Sequence, residues 1–490
     1  MDKPNVILLI ADQWRGDCLG AAGHPDVKTP YFDTLCSSGL RFSNAVSATP
    51  TCIPARAALY TGMAQENHRR VGYRDGVRWD YPNTLAGAFA DNGYQCHCSG
   101  KLHVHPLRNS IGYHSVDLHD GYLHYYRRPE MTFYDDQRIA DDYHYWIKSE
   151  LGIGADPTET GIDCNSYVAR PWLYDEKYHP TRWVTDRAID FLRKRDRDKP
   201  FFLTMSYVRP HPPFDAPQAF FDMYRGKELR PPLEGDWTDH ERLEREGRIF
   251  DSSTGPVDPD LKRAAQIGYY AAITQIDYEF GRFLEVMFSH GLDRGNTVIM
   301  FVSDHGELLC DHGLFRKSLP YNGSAGIPFV VSAPRSCLER ASGGKLDRRC
   351  TERIVELRDV MPTLLSLCGI DIPDTVDGRN VFSPDWDREY IHGEHLYGGG
   401  SCQWIVTERD KFVWFSDTDR RQYFDLCKDP DELHDAIDDR EYSERIDELE
   451  RTLINELRYR EEGFVREDKL VTGATVRAVL EHTRRESTEY

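Results

Sequence analysis

The 490-residue sequence has no apolar run long enough to cross a bilayer. The longest near its start, Val6-Ile7-Leu8-Leu9-Ile10-Ala11, stops far short of the roughly 18 residues a span requires. A basic n-region ahead of a separate apolar segment is missing too, because this run begins within five residues of Met1. The expectation is a protein retained in the cytoplasm, with no membrane partner. Cysteines at metal-binding spacing are absent: all twelve are scattered without a CxxC, which argues against a thiolate zinc cage and leaves most as free thiols. Positive charge is scarce, with 61 Lys and Arg against 81 Asp and Glu and a net charge of −20. Polyphosphate affinity comes from Lys and Arg neutralisation, so nucleic acid is not an expected partner. An anionic substrate would need a local cationic pocket to overcome the global field. Repeats of 20–50 residues are also lacking, which argues against a solenoid.

What is present is a globular composition, 40 % apolar, 12 % aromatic and 29 % charged. Over the first 110 residues short apolar runs alternate with helical stretches: a strand from Asn5 to Ala11, a helix over 30–39, a strand from Arg41 to Ala48, and helices over 54–63 and 82–92. That alternation predicts an α/β fold whose large, mostly parallel sheet is covered by helices on both faces. Further helices are expected over 180–195, 261–289 and 359–368, and further strands at Phe201 to Ser206, Thr297 to Val302 and Pro328 to Ser332. Residues 107–180 and the Pro- and charge-rich 229–260 read as surface excursions, the usual seat of substrate selection. After about Pro384 a smaller α+β unit follows, with strands Trp404 to Thr407 and Lys411 to Phe415 and a helix over 441–460. The expected division is 1–384 and 385–490.

Two strands end in carboxylates. Asp12 follows the first, and Asp304 with His305 follows Thr297–Ser303. Ligands of open α/β sheets bind beyond the carboxyl ends of the strands, so both positions fall on the functional edge. Either aspartate alone would serve as a cap or turn residue. Together they offer the oxygen ligands a hard divalent cation takes. In Thr51-Cys52-Ile53-Pro54-Ala55-Arg56, Pro54 belongs to a first helical turn, which puts Cys52 at a helix N-terminus where exposed N–H groups favour negative charge. Arg56, four residues on, shares its face. Taken singly, the two read as a buried thiol and a surface ion-pairing residue.

Taken together, C-x-P-x-R followed by Ala57-Ala58-Leu59-Tyr60-Thr61-Gly62 closely resembles the signature of the formylglycine-dependent type I sulfatases in the alkaline phosphatase superfamily. The resemblance extends over most of the chain: Asn5 to Gln13, Gly100-Lys101-Leu102-His103, Arg209-Pro210-His211-Pro212-Pro213-Phe214, Ser303-Asp304-His305-Gly306-Glu307 with Lys317, Asp359 to Leu365, and Tyr423-Phe424-Asp425-Leu426. It implies that Cys52 is converted to Cα-formylglycine by a maturation enzyme. The hydrated aldehyde then attacks sulfur with one hydroxyl and expels sulfate by C–O cleavage through the other. It implies one divalent cation, Ca²⁺ ahead of Mg²⁺ or Mn²⁺, on Asp12, Gln13, Asp304 and His305. It gives Lys101 and Lys317 the sulfate oxygens, Arg56 the orientation of the formylglycine, His103 the proton of the second hydroxyl, and His211 the leaving alcohol.

Gln13 and His305 depart from the commoner aspartate and asparagine of that family, a pattern shared by a subset of sulfatases and by phosphonate monoester hydrolases. The expected activity is therefore sulfuric ester hydrolysis on a small sulfated molecule, foremost a carbohydrate. Phosphonate monoester or phosphodiester hydrolysis at the same nucleophile is the alternative, and a non-catalytic binding protein a more distant one. His105, and the run His68, Arg69 and Arg70, are further candidates for substrate contact.

Overall fold

A computed structural model describes residues 3–121, 140–157, 162–249 and 254–484. In chain order the strands are β1 (Asn5–Asp12), β2 (Leu40–Arg41), β3 (Asn44–Val46), β4 (Gln95–Gly100), β5 (Ser115–Leu118), β6 (Phe201–Pro210), β7 (Thr297–Ser303), β8 (Phe329–Ser332), β9 (Ile354–Glu356), β10 (Ile391–Tyr397), β11 (Gly400–Val406), β12 (Asp410–Phe415), β13 (Arg421–Asp425), β14 (Val465–Arg466) and β15 (Lys469–Leu470). Seven of them form the main sheet in the order β2-β8-β7-β1-β6-β4-β5. Strand β1 lies at its centre, parallel to β6 and β7, and only the pairings through β8 are antiparallel.

Why β1 reads as unbroken apolar sequence is clear from its two faces. Ile7, Leu9 and Ala11 pack with Trp14, Phe32, Phe280 and Phe301, whereas Val6, Leu8 and Ile10 pack with Phe89, Phe202, Met300 and Leu364. Both faces are dry, so neither tolerates alternation. The helices Pro180–Lys194 and Pro259–Ser289 each begin with proline at a position whose N–H has no intrahelical acceptor, and they cover one face.

Several boundaries differ from expectation. The helix expected over 54–63 runs Cys52–Thr61. The one expected over 82–92 is Leu85–Asp91, because Thr84 Oγ1 accepts the Gly87 N–H at 3.2 Å and sets the start. The strand expected from Arg41 to Ala48 is two: Leu40–Arg41 joins the main sheet, and Asn44–Val46 pairs with β9 in a separate ribbon. The stretch 107–180 is no mere excursion, since it supplies the edge strand β5 and the helix Asp142–Leu151. Residues 122–139 and 158–161 of it, and 250–253 of the second stretch, lie outside the described residues.

Beyond the main sheet, β10-β11-β12-β13 form an antiparallel sheet. The helix Ser443–Leu457 lays Ile446, Leu449, Leu453 and Leu457 against Phe412, Trp414 and Phe464. Among the described residues no helix is long and apolar enough to cross a membrane.

Candidate active site

The central strand delivers the first site residue through an irregularity. Pairing between β1 and β6 shifts register between Ala11 and Asp12, so Asp12 lies opposite Pro210 and its carbonyl accepts the His211 N–H at 3.0 Å. Next door, β7 ends at Ser303 and presents Asp304 and His305. Asp304 Oδ1 accepts the backbone N–H of Gln13 at 3.1 Å and of His305 at 3.0 Å, which ties the two strand ends together. Gln13 itself is held at φ 73°, a rare conformation for a residue with a side chain.

Cys52 opens its helix directly above these ends. Its Sγ lies 3.6 Å from Asp12 Oδ1, 3.4 Å from His305 Nε2 and 3.7 Å from Lys317 Nζ. The ligating atoms of Asp12, Cys52, Asp304 and His305 all lie within 4.8 Å of one another, and all four residues are buried. His305 Nδ1 faces the Gly306 carbonyl at 2.9 Å, so that nitrogen carries the proton and Nε2 offers a lone pair to the cluster. Two carboxylates, a neutral imidazole and an amide oxygen suit a divalent cation, and these residues fit one.

Cations frame the same space. Lys101 donates to Asp12 Oδ2, and Lys317 donates to Gln13 Oε1 at 2.6 Å. Arg56, fully buried, donates from Nε to Asp304 Oδ2 at 3.0 Å and from Nη1 to the Lys101 carbonyl at 2.9 Å and Ser206 Oγ at 3.0 Å. Its Nη2 has no hydrogen-bond partner among the described residues and lies 3.9 Å from Asp12 Oδ2, leaving a donor for an incoming oxygen. The surface ion-pair reading of Arg56 fails on its burial.

Lys101 reaches the cluster because Gly100 ends β4 at φ 105°, where a Cβ would meet the Ser206 carbonyl at 1.9 Å. Only glycine allows that approach, and the Lys101 N–H uses it, donating to the same carbonyl at 2.9 Å.

The charges act on one another. Burial would raise the Asp12 carboxyl, but Lys101 above all, then His211 and Lys317, hold it well below the usual range. Burial and the Asp12 charge push the Cys52 thiol up, so an unmodified thiol stays protonated and poorly nucleophilic. Burial, then Lys317, pushes the His211 imidazole well down. Its Nδ1 lies 2.8 Å from the Pro212 carbonyl.

His103 is placed differently. Its backbone sits at φ 60°, and Asp120 Oδ1 accepts the N–H groups of Leu102 at 2.7 Å and His103 at 2.9 Å. Its Nε2 lies 3.8 Å from Asp75 Oδ1. Asp120 is braced in turn, its N–H donating to Asp141, the residue that caps the helix Asp142–Leu151 and faces His119 at 3.1 Å. His68 and Arg70, candidates for substrate contact, are turned inward instead. Burial drops the His68 imidazole to about 3, and Arg70 donates to Tyr81 Oη and the Val77 and Arg78 carbonyls, with its guanidinium over Trp79.

Sequence reasoning missed Glu307, which accepts from the Gln13 amide, Ser206, Asp120 with Asp75, and His395 on β10, whose Nε2 lies 3.0 Å from Thr51 Oγ1. Glu307 stood in a quoted motif, but nothing in the sequence marked the others.

Known proteins resemble this chain over nearly its whole length. Residues 4–370 match the sulfatase family model, and 310–459 match that of the C-terminal region of N-sulphoglucosamine sulphohydrolase. An arylsulfatase of Clostridium perfringens is 46 % identical over 488 residues, covering 98 % of this chain and 100 % of the relative. An ulvan-active sulfatase of Formosa agariphila is 28 % identical, covering 93 % of this chain and 81 % of the relative. Among solved structures, the phosphonate monoester hydrolase of Agrobacterium radiobacter superposes with a TM-score of 0.73 at 25 % identity, covering 96 % of this chain and 100 % of that one.

Proposed function

The chain belongs to the sulfatase family of the alkaline phosphatase superfamily and is a sulfuric ester hydrolase, and from that premise we propose that Cys52, matured to formylglycine, is its nucleophile and a small carbohydrate sulfate its substrate. The observation that carries the nucleophile is the placement of Cys52: a buried thiol at a helix N-terminus, within 3.7 Å of a carboxylate, an imidazole and an ammonium. As a thiol it is pushed up and inert, whereas the hydrated aldehyde would supply two hydroxyls without needing a thiolate.

Asp12, Gln13 through Oε1, Asp304 and His305 through Nε2 would hold the cation, Ca²⁺ ahead of Mg²⁺ or Mn²⁺. When bound it would lower the pKa of the attacking hydroxyl and polarise a sulfate oxygen. Lys101 and Lys317 bring positive charge from two sides to the sulfate, and Arg56 fixes the nucleophile through its bonds to Asp304 and its spare Nη2. His211, with Nδ1 turned to the Pro212 carbonyl, would gain a proton on Nε2 once an anionic ester offsets the Lys317 charge that holds the imidazole down, and would give that proton to the leaving oxygen. His103, steadied by Asp75 at Nε2, takes a proton at its other ring nitrogen.

The carbohydrate reading is supported by the ulvan-active relative. We also propose the unit boundaries 1–384 and 385–490, a cytoplasmic site of action and a formylglycine-generating enzyme as partner. A phosphonate monoester reading is favoured by one observation, the neutral Gln13 in place of a third carboxylate, together with the similarity to the Agrobacterium enzyme. Turnover of matched sulfate, phosphate and phosphonate esters by protein co-produced with a maturation enzyme decides between them. A higher kcat/KM for the sulfate supports the proposal, and a higher value for the phosphonate overturns it.

A further inference from the structure

Position 13 contributes an amide, not a carboxylate, to the cluster, and that amide is held from both ends. Lys317 Nζ donates to Oε1 at 2.6 Å, and Nε2 donates to Glu307 Oε2. An ammonium only donates, so the amide has one orientation, its oxygen toward Lys317 and the cluster and its nitrogen toward Glu307. The second Glu307 oxygen accepts the backbone N–H of Leu309 at 2.9 Å and of Arg316 at 2.6 Å. Arg316 and Ser318 flank Lys317 at φ 72° and 80°, both costly for residues with side chains. One fully buried carboxylate thus orients Gln13 and pins the backbone from which Lys317 reaches in.

We infer that Glu307 is a positioning residue that holds the Gln13 amide with its oxygen toward the cation site. The inference rests on the proposed cation site of Asp12, Gln13, Asp304 and His305. Losing an outer partner of a ligand typically weakens metal affinity by about 10–100-fold.

The test is calorimetric titration of chelator-stripped protein with Ca²⁺, without substrate. Glu307→Gln keeps the shape and one acceptor oxygen but sets one –NH₂ against another, so the Gln13 amide must turn its oxygen from the cation. We expect affinity to fall by about 10–100-fold and to recover at least tenfold in the reciprocal pair Gln13→Glu/Glu307→Gln. In a Gln13→Ala background, which leaves the backbone bonds of Glu307 intact, Glu307→Gln should cost no further affinity. A merely structural Glu307 would cost the same in both backgrounds, and that result overturns the inference. So does native affinity in Glu307→Gln. Asp304→Asn separates the two levels: if it lowers affinity while Glu307→Gln does not, only this inference falls, and if it leaves affinity unchanged, the cation site falls and takes the inference with it.

Discussion

Buried charge is handled in opposite ways at two places in this molecule. In the C-terminal sheet Lys411 is 1 % exposed, yet its ammonium is saturated, donating to the Pro320 carbonyl at 2.7 Å, to Asn322 Oδ1 at 3.1 Å and to Glu432. Arg460 likewise meets Glu394 at 2.8 and 2.9 Å and Glu462 at 2.7 Å. At the carboxyl edge of the main sheet, by contrast, Asp12 and Asp304 converge on one point, Arg56 keeps an unused donor, and Lys317 spends itself on an amide and a thiol. Buried charge by itself therefore marks nothing. Like charges brought together and left with spare donors mark a site that something else must complete.

The largest expected effect breaks the active edge outright. Cys52→Ala should reduce turnover to background while leaving denaturant unfolding nearly unchanged, and peptide mass analysis of the native protein should show a Cys52 fraction about 18 Da lighter, the mark of thiol-to-aldehyde conversion. Retained turnover in Cys52→Ala would sink the nucleophile assignment.

Next is His211→Ala, expected to cost about 10²–10⁴ in rate on an unactivated sugar sulfate and far less on a nitrophenyl sulfate, whose oxygen departs with little proton transfer. Equal losses on the two esters would remove His211 from the leaving-group role.

The two lysines sharpen the contrast directly. Lys317→Met should cost about 10²–10³ in kcat, as loss of one charge-stabilising donor does, with little change in stability. Lys411→Met should do the reverse: it strands Glu432 and costs about 3–5 kcal/mol of unfolding free energy, read by denaturant titration, while kcat/KM of the folded fraction holds. If both variants lost stability alike, the distinction between saturated and unsaturated buried charge would fail.

The smallest effect concerns a buried acid outside either region. Burial lifts Asp277 to about 7, even though the N–H groups of Phe32 and Tyr31 donate to it. The folded carboxyl holds its proton more tightly than the unfolded one, so its contribution to stability is whole below about pH 4 and is lost as pH rises to about 7. Asp277→Asn should flatten that part of the stability–pH curve, and an unaltered slope in denaturation series from pH 4 to 8 would show that the carboxyl ionises freely.

How much of this was legible in advance follows from the range of each interaction. Asp12, Asp304 and the Cys52 helix are announced by local pattern, an apolar run ending in a carboxylate or a proline in a first turn, and the structure places them as those patterns imply. Strand β4 was invisible because its sequence, Gln-Cys-His-Cys-Ser-Gly, lacks the branched apolar residues that signal a strand, although five of its six residues are buried. Strands β10 and β13 were missed because polar residues break their apolar pattern, His392 to His395 inside β10 and Arg421 with Gln422 at the start of β13. The partners of His103 were equally hidden. Asp75 and Asp120 are ordinary surface-type residues in sequence, yet at the turn where His103 sits at φ 60° Asp75 faces the ring and Asp120 accepts the backbone N–H. His395 meets Thr51 across 344 positions, a contact no local pattern encodes.

The place of β1 at the centre of the sheet has a consequence in time. Its neighbour β7 begins at Thr297, 245 residues after Cys52 (297 minus 52), so the wall that encloses the thiol does not exist until long after Cys52 has been made. At about 5–20 residues per second, synthesis leaves roughly 10–50 s in which Cys52 stands on an incomplete sheet. In the complete fold the residue is 1 % exposed. Any catalyst that must grip the segment around Cys52 works against that clock, and slower translation of residues 53–296 should raise the fraction of chains modified.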